Sequence, residues 1–82
     1  MVVIHPHAKA RAAERGTTEF EIADVVETGE VFPAKYGRTG FRKTIIYNDL
    51  WQGVHYYAKQ IECFAMYEQE DWIVISLLIK YF

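Results

Sequence analysis

From Val31 onward the chain stops repeating at helical spacing and reads as extended segments, and this one change of period restricts it to an α+β fold. Upstream of the change, Pro6 suits a first helical position and Ala8, Ala10, Ala12 and Ala13 are strong helix formers. Gly16 is the residue expected just past a helix end in the left-handed conformation. A first helix over about 6–15 follows. Thr18 with Glu21 spells a capping box, in which each side chain satisfies a free N–H at the start of a second helix over about 18–28. Ile22, Val25 and Val26 give that helix an apolar stripe fit to pack on a sheet.

Downstream, strands are predicted over about 31–35, 41–47, 54–60, 61–68 and 72–81. The segments around Tyr36-Gly37-Arg38-Thr39-Gly40, Asn48 to Gly53 and Glu68 to Asp71 read as turns. Short connections make successive strands antiparallel. The expected architecture is therefore two N-terminal helices packed on a four- to five-stranded, mainly antiparallel sheet. The run Ile73 to Ile79 is apolar on both faces, as a central strand covered from each side requires.

Eighty-two residues support one hydrophobic core, so the expectation is a single domain over 1–82. The chain is 51% hydrophobic, which excludes a disordered segment as its basic state. Cys63 is the only cysteine and sits in an apolar stretch, which excludes an internal disulfide and fits a reducing cytoplasm. The first residues lack the basic and apolar regions of a secretory signal, and Ile73 to Ile79 falls well short of the roughly 20 residues of a membrane helix. The expected location is cytoplasmic, with no membrane partner.

The net charge of −2 conceals an uneven distribution. Residues 1–16 and 31–59 are basic, whereas 17–30 carry Glu19, Glu21, Asp24, Glu27 and Glu30 without a cation. If the fold gathers the basic stretches, a polyanion can bind there; if it sets them beside the acidic helix, they neutralise it. His7, Arg11 and Arg15 recur every fourth residue and drift only about 80° around a helix, so they can converge on one ligand. Two guanidiniums can grip a phosphate while an imidazole moves a proton near neutrality. The competing reading is a solvated face, with Arg11 paired to Glu14 and Arg15 complementing the helix dipole.

Arg42, Lys43, His55 and Lys59 form a second set on expected hairpin partners, where His55, Tyr57 and Lys59 alternate onto one face that suits RNA or ordinary cross-strand packing. His5 and His7 do not face each other on a helix and lack partners at metal-ligand spacing, so neither a metal nor a cofactor is expected. Gly37 and Gly40 lack the Lys-Ser/Thr of a phosphate loop. Ser76 and Cys63 lie inside apolar strands, which argues against covalent catalysis.

The run His7-x-x-x-Arg11-x-x-x-Arg15-Gly16, a Thr-capped acidic helix, Gly29-Glu30, a basic turn and aromatic strands together resemble a bacterial family catalogued as domain of unknown function 4258. The likeness spans nearly the whole chain. That family is similar to the RelE and ParE type toxins, which pair two N-terminal helices with an antiparallel sheet; the RelE branch cleaves RNA without a metal. The resemblance implies a RelE-like toxin-family protein acting on RNA as a metal-independent ribonuclease. His7 would carry the proton, and Arg11, Arg15 and Lys59 would stabilise the developing oxyanion. It also implies a cognate antitoxin or other small protein as partner. The alternative is a non-catalytic module that uses the same cationic face to bind nucleic acid or an acidic protein, or to form a homodimer.

Overall fold

Pro6 supplies the fixed φ of a first helical turn, and helix α1 runs Pro6–Arg15 in the computed structural model, which describes residues 1–82. His5 is its N-cap: the ring Nδ1 accepts the His7 N–H at 3.1 Å. Gly16, at φ 81°, closes the helix in the left-handed conformation and donates its N–H to the Ala12 carbonyl. Helix α2 spans Glu19–Thr28, and its N-cap Thr18 accepts the Glu21 N–H at 3.1 Å. Only this half of the expected capping box forms. The Glu21 carboxylate accepts from the Thr17 hydroxyl and from Lys59 instead of turning back to Thr18.

Five strands make one sheet: β1 Val2–Ile4, β2 Glu30–Pro33, β3 Thr39–Trp51, β4 Val54–Glu68 and β5 Asp71–Tyr81, in the order β1-β5-β4-β3-β2. β1 runs parallel to β5 and all other neighbours are antiparallel, so the sheet is mixed. Three expectations need correction. β1 precedes the first helix, where the sequence predicts no strand, because three residues carry no periodicity and their partners, Trp72 to Val74, lie at the far end of the sequence. The runs expected at 54–60 and 61–68 are one strand, with no break at Gln60-Ile61. The loop expected from Asn48 to Gly53 is mostly strand: a bulge between Ile46 and Asp49, with Asn48 at φ 47°, lets β3 continue to Trp51. The connection shrinks to Gln52-Gly53, both at positive φ, as a two-residue hairpin turn demands.

Register fixes the two faces of the sheet. Phe41, Cys63 and Leu77 stand side by side, and with Ile61, Ala65 and Val74 they receive Ala8 and Ala12 of α1 and Ile22, Val25 and Val26 of α2. That layer is the core. The buried Cys63 thiol is pushed up to about 12 by desolvation and is inert there. The opposite face carries no helix. No helix is long and apolar enough to cross a membrane.

Candidate functional site

The 80° drift that groups His7, Arg11 and Arg15 also carries them from solvent into the core. Ala8 and Ala12 mark the buried stripe of α1, and helical geometry sets Arg15 about 20° from Ala8, Arg11 about 60° and His7 about 100°. The three residues accordingly meet three fates. His7 is exposed and no side chain bonds its ring, so nothing fixes a tautomer as a proton-transfer role requires. Arg11 holds a loose ion pair with Glu14 at 3.7 Å. Arg15 turns inward, and its Nη1 donates to the Leu77 carbonyl. β1 ends at Ile4, opposite Val74, so beyond that point β5 has no neighbour on the side away from β4 and the guanidinium caps an edge carbonyl.

The second candidate set is divided by the pleat of the sheet. Arg42 and Lys43 are adjacent and therefore point to opposite faces. Arg42, on the helix-free face, bonds Glu62 at 2.9 Å, lies 3.5 Å from Glu30, and stacks 4.3 Å above the Phe32 ring. Lys43, on the helix face, bonds Asp24 at 2.7 Å and Thr28 at 2.8 Å. His55 Nε2 lies 3.0 Å from Asn48 Oδ1 on the exposed end of the β3-β4 hairpin. Lys59 is 3% exposed; its ammonium donates to Glu21 at 2.9 Å and to the Gly16 carbonyl at 2.8 Å. Strand alternation thus sets Arg42 on the face opposite Lys43, and α2 claims both lysines, Lys43 through Asp24 and Thr28 and Lys59 through Glu21.

Around Lys59 the chain assembles an aromatic clamp that the sequence did not reveal. Tyr81 stacks on Trp51 with centroids 5.0 Å apart, contacts Tyr47 and Tyr56, and donates its hydroxyl to the Arg15 carbonyl at 2.7 Å. Burial, helped by Tyr47 and Glu21, pushes the Tyr81 phenol up to about 12, so it stays a donor and cannot serve as a base near neutrality. The rings close on Gly16: a Cβ there would lie 2.4 Å from the Tyr81 hydroxyl and 2.5 Å from Trp51. This end of α1 is a structural joint.

The largest cavity, of about 480 Å³, lies beside the Phe32 ring on which Arg42 stacks. Phe32, Phe64 and Ser76 line it from the sheet, and Lys35, Tyr36 and Arg38 from the β2-β3 connection. Phe32 meets Phe64 edge to face, and its ring fills the space that a side chain at Gly40 would take. No carboxylate lines the cavity, and neither Lys35 nor Arg38 enters an ion pair. The sequence offered one signal, a tyrosine and a glycine bracketed by two cations, but it reads as a turn until register places Phe64 and Ser76 beneath it.

No protein-family model, curated protein or solved structure matches this chain.

Proposed function

We propose that this chain is a non-catalytic RNA-binding module that works in the cytoplasm, and that its likeness to the RelE and ParE type toxins is one of fold and target class. The observation that supports the reading is the state of the cations. Lys9, Arg11, Arg42, Lys43 and Lys59 are held by carboxylates of the chain itself, whereas Lys35 and Arg38 stand unpaired among aromatic rings. Free cations interleaved with rings suit single-stranded RNA, whose phosphates attract the charges and whose bases stack. Labelled single-stranded RNA should show rising fluorescence anisotropy as protein is added, fall back as salt is raised, and stay intact on a denaturing gel. RNA that never binds, even at low salt, would sink the reading.

A ribonuclease reading keeps one favourable observation: His7 and Arg11 are exposed on successive turns of α1. It requires that induced expression arrest bacterial growth and degrade RNA, and that His7→Ala or Arg11→Ala relieve both. Harmless expression with intact RNA leaves only the binding module.

A further inference from the structure

We propose that the cavity under the β2-β3 connection takes one nucleotide unit, an aromatic base with its phosphate. The base would lie among Phe32, Tyr36 and Phe64, and the phosphate between Lys35 and Arg38. The inference rests on the RNA-binding reading and gives it a subsite.

Size and lining come first. A volume of about 480 Å³ falls within the roughly 300–1,000 Å³ of small-molecule sites, which are mostly apolar with a few convergent polar groups. Here the apolar part is three aromatic rings, Phe32, Tyr36 and Phe64, beside Pro33 and Ala34. The polar part is two cations and the Ser76 hydroxyl, which makes no hydrogen bond within the protein and is open to a base edge as donor or acceptor. With no carboxylate in the lining, the ligand that complements the site is flat on one side and anionic on the other.

The backbone holds this arrangement at a cost. Tyr36 and Gly37 are both left-handed, at φ 62° and 70°, and the Arg38 N–H donates to the Lys35 carbonyl at 3.2 Å. A bulky residue with a Cβ is rarely found there. Yet Tyr36 is 85% exposed, so packing within the protein does little to offset the strain. The turn sets Lys35 and Arg38 as flanking posts, with the Arg38 guanidinium 5.8 Å above the Tyr36 ring. A nucleotide fits better than an acidic peptide. A peptide bound as an added strand would need the outer edge of β2, where Pro33 offers no N–H beside the cavity.

The test is a ¹H–¹⁵N titration of the full chain with AMP, ribose 5-phosphate and adenosine, paired with anisotropy on a single-stranded RNA. AMP should shift the Arg38, Phe64 and Ser76 amides, and the two fragments should bind at least tenfold more weakly. Phe64→Leu, and separately Lys35→Gln with Arg38→Gln, should weaken RNA binding tenfold or more, while Lys9→Gln changes it little. The double glutamine variant alters only the exposed turn, so it remains informative if Phe64→Leu does not fold. RNA bound with no change in these variants and no AMP shifts overturns the pocket and leaves the RNA-binding reading standing. AMP bound in the cavity without RNA binding supports the pocket with a free mononucleotide as its source, and sinks that reading. An acidic aromatic peptide that displaces AMP and binds more tightly than RNA overturns the proposal.

Discussion

The Lys59 ammonium sits 2.9 Å from the Glu21 carboxylate at the point where the two helices meet the sheet. The same ammonium takes the Gly16 carbonyl, so one buried cation ties β4 to α2 and to the end of α1. Lys59→Met should cost about 2–4 kcal/mol in chemical denaturation, because Glu21 and a helix-end carbonyl lose their partner in a poorly solvated place. Glu21 is 28% exposed, which holds the figure below that of a fully enclosed pair. In a double-mutant cycle, adding Glu21→Gln should recover part of the loss; strict additivity of the two changes would show that they do not interact.

Gly16 and Gly37 separate backbone strain from crowding. Both are left-handed, but a Cβ at Gly16 meets Trp51 and Tyr81, whereas at Gly37 it meets nothing within 4 Å. Gly37→Ala should cost about 1 kcal/mol, and Gly16→Ala at least about 2 kcal/mol more, because the rings must move as well. Thermal unfolding reads the difference as roughly 8 °C or more. Equal losses at the two sites would show that the aromatic clamp yields freely.

Arg15 should behave unlike the two residues with which it shares a spacing. Arg15→Ala removes the donor to the Leu77 carbonyl at the open edge of β5 and should destabilise by about 1–3 kcal/mol. His7→Ala and Arg11→Ala, on the solvent side, should stay within about 0.5 kcal/mol of wild type. Urea titrations of the three variants decide whether the motif is one site or a helix face turning into the core.

Stability should fall on the alkaline side. Cys63 and Tyr81 are both raised to about 12 in the folded state, from 9.0 and 10.0. Between the two values of each group the folded chain keeps a proton that the unfolded chain releases, so stability is fully present below pH 9 and declines as pH rises toward 12. Cys63, fully buried, can contribute a slope of up to about 1.4 kcal/mol per pH unit; Tyr81, partly solvated, contributes less. Cys63→Ala should flatten the decline most between pH 9 and 10, where the unfolded-state tyrosine is only beginning to ionise. A slope unchanged by that substitution would mean that the thiol is not the group responsible.

Features governed by a few neighbouring residues were legible in the sequence. Pro6, Gly16 and Thr18 mark the ends of the helices because φ restriction, left-handed backbone and side-chain capping act within one turn. The stripe of Ile22, Val25 and Val26 named the buried face of α2, and Glu68 to Asp71 named a hairpin tip, closed by Gln69 and Glu70 at positive φ. What the sequence alone determined is thus the α+β class and the placement of its two helices.

Tertiary structure decided the rest, because the remaining features depend on which distant residues a register brings together. Three residues of β1 become a strand only where β5 offers an open side. Charge type is readable residue by residue, but pairing is not. Docking α2 on the sheet consumes Lys43 and Lys59, whereas the β2-β3 turn, which has no carboxylate beside it, leaves Lys35 and Arg38 free. The helical periodicity that made His7, Arg11 and Arg15 a candidate site also turned Arg15 into the protein, and only the position of β5 settled what it would meet there.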